Sequence, residues 1–148
     1  MSSFDVVVIG SGPGGYVSAI RCAQLGMKTA LVEKSPTLGG TCLNVGCIPS
    51  KALLDSSEHY HNAVHAFEEH GIGIEPPVID FAKMIERKAK VVSTSCDGID
   101  FLMKKNDITV LRGMGSLVDA THVQVEGEET TTVEAKHIIL ATGSQPIE

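Results

Sequence analysis

The chain has 148 residues, of which 43% are hydrophobic, and this is enough for one domain with an apolar core. Twelve basic residues against eighteen acidic residues give a formal net charge of −6, which excludes a protein that binds the nucleic acid backbone through a basic surface. The apolar run at residues 6–9 is far shorter than the roughly 20 residues that a membrane span needs. The first residues lack the basic and apolar regions of a signal peptide, so we expect a cytoplasmic protein.

The first third of the chain carries the pattern of a βαβ unit. Residues 4–9 form a Val-rich run that ends at Gly10 and predicts a buried strand. Pro13 suits the first turn of a helix that Gly26 closes. Residues 28–33 predict a second strand that ends in an acid. A strand, a glycine turn, a helix and a strand within about 30 residues are typical of a βαβ unit with a right-handed crossover.

The middle of the chain is predicted to be mainly helical. Residues 39–46 are rich in glycine and predict a loop or a distorted turn. Residues 48–70 predict a helix, and residues 72–78 predict a surface connection. From Asp80 onward, apolar residues recur at steps of three and four, which predicts a long helix with a break or kink at Gly98.

The last third of the chain changes to a two-residue period. Short strands separated by turn residues predict an antiparallel meander, and they are residues 108–111, 116–118, 122–125 and 130–133. Residues 137–140 predict one more buried strand. We therefore predict an α/β fold in which a parallel sheet is accompanied by a small antiparallel β-meander.

Residues 10–15, here called the glycine turn, fit the pattern G-x-G-x-x-G. Gly10 permits a tight turn, Gly12 lets the backbone approach a pyrophosphate, and Gly15 lets the helix pack closely on the strand. Glu33 follows Gly15 by 18 residues, where a carboxylate can accept hydrogen bonds from ribose hydroxyls. The pattern favours dinucleotide binding. The alternative is a tight structural turn with an unrelated surface glutamate.

The four cysteines comprise one close pair and two isolated residues. Cys42 and Cys47 are five positions apart, whereas Cys22 and Cys96 are predicted to be small buried residues. Five residues of regular helix advance about 7.5 Å, more than a disulfide spans, so a bridge requires a compressed turn. Cys47 is expected at a helix N-terminus with Lys51 one turn further on. Both features favour its thiolate.

Three interpretations of the cysteine pair remain open. Reversible dithiol chemistry, which we favour, fits the compressed spacing and the unequal surroundings of the two sulfurs. A structural zinc site needs two more ligands, for which His59, His61 and His65 are candidates by number alone. Two unremarkable reduced cysteines are the third interpretation. We predict no metal site.

The sequence around the cysteines resembles the active-site segment of the pyridine nucleotide–disulfide oxidoreductases. Residues 39–51, here called the cysteine segment, read GGTCLNVGCIPSK. Leu43, Ile48 and Ser50 are most similar to the dihydrolipoamide dehydrogenase branch. Glutathione reductases usually carry Val and Lys at the positions of Ile48 and Ser50, and mercuric reductases share the Ser but prefer Val. The Ala-Thr-Gly-Ser sequence at residues 141–144 matches a second flavin-contact motif of the family.

This resemblance covers the whole chain and implies a Rossmann-like FAD-binding domain over residues 1–148. It implies that Cys47 faces the flavin, that Cys42 exchanges with the substrate, and that Lys51 lies close to the flavin ring. It places FAD contacts along the glycine turn, the second strand, the cysteine segment and the last strand. The implied FAD-binding residues are Gly10, Gly12, Pro13, Gly14, Gly15, Glu33, Lys34, Gly40, Thr41, Cys42, Lys51, Gly115, Ala141, Thr142, Gly143 and Ser144.

The implied activity transfers electrons from a dihydrolipoyl dithiol, through the cysteine pair and FAD, to NAD. The implied partners are a lipoyl-bearing acyltransferase or carrier protein as substrate and a second copy in a homodimer. The NAD-binding and dimerisation domains of this family are expected outside the chain, so we expect weak FAD retention and no turnover by the chain alone. The alternatives are a sister flavin reductase of the glutathione or mercuric reductase type, and a non-catalytic flavin-binding fragment.

Overall fold

The computed structural model describes residues 2–75, 77–145 and 147. Within these residues, six strands form one sheet, and they are β1 (Ser2–Ile9), β2 (Thr29–Glu33), β3 (Thr109–Arg112), β4 (Met114–Leu117), β5 (His122–Glu126) and β6 (Thr130–Leu140). The helices are α1 (Pro13–Gln24), α2 (Gly40–Asn44), α3 (Cys47–His65) and α4 (Phe81–Lys105), with a short 3-10 helix at Phe67–His70. None of the helices in this described part is long and apolar enough to cross a membrane.

The sheet has the strand order β3-β2-β1-β6-β5-β4. The first four strands are parallel, and β6, β5 and β4 are antiparallel, so β6 belongs to both parts. The prediction of an α/β fold with a parallel sheet and a small antiparallel meander is confirmed. The βαβ unit is also confirmed, because β1 pairs parallel with β2 across helix α1.

Three of the predicted strands differ from the structure. We predicted residues 108–111 in the meander, but β3 pairs parallel with β2, Ala30 opposite Thr109. The 25-residue helix α4 is a long crossover, and such a connection brings the chain back parallel. Residues 130–133 and 137–140 are one continuous strand, since no turn residue interrupts the segment between them.

The parallel strands are covered on both faces. Val6, Val8 and Leu31 pack against α1 and α4, and Val7 and Val32 pack against the meander on the opposite face. Burial on both faces explains the continuous apolar run in β1. The end of β6 differs from the prediction of a buried strand, because Leu140 is 61% exposed. Ile138 and Ile139, just before Leu140, are half-buried and pack against the two core clusters.

The helices follow the predicted pattern with three corrections. The short helix α2 occupies the predicted loop, and α3 ends at His65, before the 3-10 helix that replaces its predicted last turn. Helix α4 runs continuously through Gly98. This glycine lies on the exposed face, and the buried stripe that includes Ile99 and Met103 holds the helix together. The predicted cap is confirmed, because the Asp80 side chain accepts a hydrogen bond from Lys83 N at 3.0 Å.

Candidate active site

A cavity of about 580 Å³ lies at the carboxyl ends of β1, β2 and β6. In an open α/β sheet, ligands bind at this edge. Most of the predicted site residues line the cavity, and they are Gly10, Gly12, Pro13, Glu33, Lys34, Gly40, Thr41, Cys42, Cys47, Ala141, Thr142, Gly143 and Ser144. The fold therefore brings the glycine turn, the acid of β2 and both cysteines to one place.

Four predicted residues lie outside this cavity. Gly115 lines an adjacent cavity of about 150 Å³, which shares Glu33 and other residues with the first. Gly14 is exposed in the first turn of α1, and Lys51 is exposed on α3, one turn after Cys47. Gly15 is buried against the carbonyl of Gly10.

Glycine is needed at positions 10, 12 and 15 of the glycine turn for different physical reasons. Gly10 has φ +101°, and a Cβ there would overlap the carbonyl of Ala141. A Cβ on Gly15 would overlap the carbonyl of Gly10. In contrast, Gly12 has φ −64°, and its Cβ would meet no described atom within 4 Å and would enter the cavity. The space left at Gly12 fits a ligand that approaches the backbone closely, as a pyrophosphate does.

The first turn of α1 faces the same space. Gly12 is the N-cap residue and Pro13 occupies the first helical position. The N-terminal end of a helix carries partial positive charge and N–H groups available to an anion. Gly40 closes the other side, because a Cβ on Gly40 would lie 2.6 Å from Gly12 Cα. The two glycine-bearing segments thus touch and form a cradle that suits a diphosphate.

Glu33 is a buried carboxylate held by the backbone and a serine. Its Oε2 accepts hydrogen bonds from Ser11 N at 2.9 Å and from Ser11 Oγ at 2.5 Å, and its Oε1 accepts one from Ser35 N at 2.8 Å. Burial opposes ionisation, but these hydrogen bonds outweigh it and lower the pKa of Glu33. An ionised carboxylate has about four acceptor positions. These three donors leave capacity for a hydroxyl group of a ligand.

The cysteines occupy two successive short structures at the rim of the cavity. Cys42 is half-buried in α2, and Cys47 is the exposed first residue of α3. The N–H groups of Val45 and Gly46 both donate to the carbonyl of Thr41, at 3.0 and 2.8 Å, so the chain turns between the two cysteines. Both cysteines are free thiols in this structure. Hydrogen bonding with Cys47, followed by burial, raises the pKa of the Cys42 thiol.

The other cysteines and the histidines lie in different surroundings. Cys96 is buried as predicted, whereas Cys22 is only half-buried. Within the described ranges, no three His, Cys, Asp or Glu side chains come close enough to hold a metal ion. The rings of His61 and His65 lie 4.7 Å apart on the exposed surface of α3. The zinc interpretation of the cysteine pair therefore finds no ligand set in that part of the chain.

Several residues of the site were missed by the sequence analysis. They line the two cavities and are Ser11, Ser35, Thr37, Asn44, Val45, Gly46, Gly113, Met114 and Gln145. Ser11 occupies a variable position of the glycine pattern, so the pattern gives no signal for it. Its role is to donate hydrogen bonds to Glu33, which is 22 residues away in the chain. Asn44 lies between the two cysteines, and that position was the available signal for it.

Comparison with known proteins decides the family. The model described as pyridine nucleotide-disulphide oxidoreductase matches residues 4–148. The chain belongs to this family.

The resemblance recognised in the cysteine segment is thereby confirmed at the level of the family. Among curated relatives, the mitochondrial dihydrolipoyl dehydrogenase of Pisum sativum is 55% identical over 143 residues, which are 95% of this chain and 28% of that protein. Dihydrolipoyl dehydrogenase of Chlamydia muridarum is 52% identical over 97% of this chain and 30% of its own length. Leghemoglobin reductase of Glycine max is 55% identical over 95% of this chain and 27% of its own length. The chain thus spans 27% to 30% of these relatives.

Solved structures agree with the fold. The HOCl-induced flavoprotein disulfide reductase RclA of Escherichia coli, as the Cu(II) complex of a mutant form, matches with a TM-score of 0.81 and 26% identity. The match covers 100% of this chain and 30% of that protein. A second structure of the same reductase has a TM-score of 0.79 at 27% identity, covering 97% of this chain and 29% of that protein. The Rossmann-like fold of a flavoprotein disulfide reductase is therefore confirmed.

Proposed function

We propose that residues 1–148 are the FAD-binding, disulfide-bearing part of an oxidoreductase of the dihydrolipoyl dehydrogenase type. One observation carries this proposal: the glycine turn, Glu33 and both thiols line the same cavity. A shared cavity would let electrons pass between the dithiol and a dinucleotide bound in the cradle. The similarity to dihydrolipoyl dehydrogenases supports the same assignment.

The cavity residues fit FAD in a defined order. Gly12 and the first turn of α1 would hold the pyrophosphate, and Glu33 would accept hydrogen bonds from the adenosine ribose. Gly115, beside Glu33 in the adjacent cavity, would border the adenine. Thr142 and Gly143 would contact the middle of the cofactor. Bound FAD would supply a two-electron acceptor for the cysteine pair and a hydride donor for NAD.

The cysteine pair performs thiol–disulfide exchange with a dihydrolipoyl dithiol. A substrate thiolate attacks Cys42 Sγ of the oxidised pair, so that a mixed disulfide forms and Cys47 leaves as a thiolate. The second substrate thiolate attacks the mixed disulfide, which releases Cys42 as a thiolate and closes the substrate disulfide. Two electrons thereby pass from the substrate to the pair. Cys47, which leaves in the first step, is the first residue of α3 and is exposed to the cavity rim.

The complete enzyme is proposed to act on a lipoyl-bearing acyltransferase or carrier protein, to use NAD, and to form a homodimer. The proposed compartment is the cytoplasm, although the Pisum sativum relative is named mitochondrial. Cell fractionation with an antibody against this chain tests the compartment directly.

Serine variants of the two cysteines test the proposed roles. In the complete polypeptide that carries this chain, anaerobic dihydrolipoamide should produce a long-wavelength absorbance from a thiolate beside the flavin. Cys47→Ser should lose this absorbance, and Cys42→Ser should keep it while losing exchange with the substrate. The reverse pattern would overturn the division of roles. Equal turnover with glutathione disulfide and lipoamide would contradict the proposed substrate class.

A further inference from the structure

The side-chain carboxamide of Asn44 makes all the hydrogen bonds that it can form, with partners in or near the cysteine segment and on α4. Its Nδ2 donates to the carbonyls of Leu38 at 3.1 Å and Gly40 at 2.9 Å. Its Oδ1 accepts from Thr37 Oγ1 at 2.7 Å and from Cys96 Sγ at 3.4 Å. A carboxamide has two donor hydrogens and two acceptor lone pairs, so this set is complete. Aspartate would lack both donors, and glutamine would be one methylene too long.

The helix that carries Cys42 depends on contacts of this kind. Helix α2 has five residues, and a helix of this length is not stable by itself, because nucleation is costly. It begins at Gly40, and Gly39 and Gly40 are both left-handed, at φ +100° and φ +59°. The carboxamide of Asn44 bonds to the carbonyls on both sides of Gly39. It therefore holds the turn in which α2 starts.

Cys96 connects the same network to the core. It lies on α4, and its residue is only 3% exposed. Burial, with Asp100 and Asp97 nearby, raises the pKa of the Cys96 thiol and keeps it protonated as a donor. Leu43, the neighbour of Asn44, packs into the same hydrophobic cluster as Cys96. The position of α2 is thus determined by α4 as well as by its own turn.

We propose that Asn44 is a positioning residue for the cysteine pair, because its carboxamide holds α2 where the two thiols meet and so favours closure of the disulfide. This inference rests on the proposed function, in which Cys42 and Cys47 alternate between dithiol and disulfide. Without these hydrogen bonds, α2 would fray and Cys42 would spend less time beside Cys47. The effective concentration of one thiol at the other would fall, and the disulfide would be less favoured.

Equilibrium with glutathione measures this effect without any flavin. A cysteine thiolate attacks glutathione disulfide and releases one glutathione, and the second cysteine thiolate then releases the other glutathione and closes the protein disulfide. One disulfide is reduced and one is formed, so the equilibrium constant is the disulfide-to-dithiol ratio of the protein multiplied by the square of the glutathione concentration and divided by the glutathione disulfide concentration. We expect Asn44→Ala and Asn44→Asp to lower this constant about tenfold, equivalent to about 30 mV for a two-electron couple.

Trypsin gives a readout that is specific for the pair. Cleavage after Lys34 and Lys51 yields a peptide of residues 35–51 that contains both Cys42 and Cys47. Cys22 and Cys96 fall in other peptides and serve as internal controls. Differential alkylation and mass spectrometry of the 148-residue chain therefore give the dithiol-to-disulfide ratio directly.

Matched variants separate positioning from general loss of structure. Asn62→Ala removes the same side chain from helix α3 outside the cysteine segment, and we expect it to leave the constant unchanged. Thr37→Val removes one donor to Oδ1 at an exposed position and should lower the constant about twofold, while the fold is retained. If neither Asn44 variant folds, Thr37→Val by itself tests whether the Asn44 network positions the cysteine pair. An unchanged constant in the folded variants would overturn the positioning role. Failure of the wild-type pair to form a disulfide would instead overturn the proposed function.

Discussion

Alanine substitutions at Gly15 and Gly12 separate the glycine that the fold requires from the glycine that the cavity requires. In Gly15→Ala, the new Cβ would overlap the carbonyl oxygen of Gly10. In Gly12→Ala, the backbone angles suit alanine, and the new Cβ meets no atom of the described residues within 4 Å. We therefore expect Gly15→Ala to reduce stability and Gly12→Ala to reduce ligand binding.

The magnitudes follow from these contacts. Alanine gains about 1 kcal/mol over glycine inside a helix, but overpacking costs about 1–3 kcal/mol. The obstacle to Gly15→Ala is a backbone carbonyl, which cannot rotate away, so the upper end of the overpacking range applies. The net loss in the free energy of unfolding is about 2 kcal/mol. At Gly12, the smaller entropy of the unfolded chain stabilises by about 0.4–1 kcal/mol, and alanine is a worse N-cap by a similar amount. The net change there is within about 0.5 kcal/mol.

Two assays on the same variants check the separation. Urea unfolding, with a slope of about 1–3 kcal/mol per molar, should show a midpoint about 1 M lower for Gly15→Ala and almost no change for Gly12→Ala. Titration with FAD, followed by flavin fluorescence, should show at least about a tenfold loss of affinity for Gly12→Ala, equivalent to about 1.4 kcal/mol. Unchanged FAD affinity in Gly12→Ala, or unchanged stability in Gly15→Ala, would refute the assignment.

Three further outcomes are expected. Gly98→Ala should raise the free energy of unfolding by about 1 kcal/mol in urea, because the exposed helix position has room for a Cβ; a decrease would contradict the continuous helix. Ser11→Ala should raise the pKa of Glu33 in a ¹³C NMR titration. Since the folded-state pKa of Glu33 is lowered, its contribution to stability is present above pH 4.5 and is lost as the pH falls through the folded-state value. The difference in the free energy of unfolding between Ser11→Ala and wild type should therefore become smaller in acid. Cys96 should be alkylated much more slowly than the exposed Cys47 at about pH 7, and equal rates by peptide mapping would contradict its burial.

The βαβ unit and the glycine turn were predictable because their signals are local. A buried parallel strand needs an apolar run, and the tight turn after it needs glycine at a left-handed position such as Gly10. The cap at Asp80 depends on a neighbour three residues away. The position of Cys47 at a helix start likewise follows from Pro49 and Gly46. In each case, the physical cause lies within a few residues of its effect.

The partners of the later strands depended on the tertiary structure. A two-residue period predicts a strand, but it contains no information on which neighbour supplies its hydrogen bonds. The position of β3 beside β2 is decided by the long helix α4, which returns the chain to the edge of the sheet that β2 would otherwise form. The exposure of Leu140 at the end of β6 is likewise visible only in the tertiary structure.

The sequence by itself determined the βαβ unit, the glycine turn and the cysteine pair, because short-range sterics and covalent spacing control all three. Only the tertiary structure decided that Ser11 holds the carboxylate of Glu33 and that Asn44 bonds to Cys96. These partners are 22 and 52 residues apart in the chain. Hydrogen bonds between such distant residues exist only after the sheet and α4 have packed, because packing of the core sets their distances.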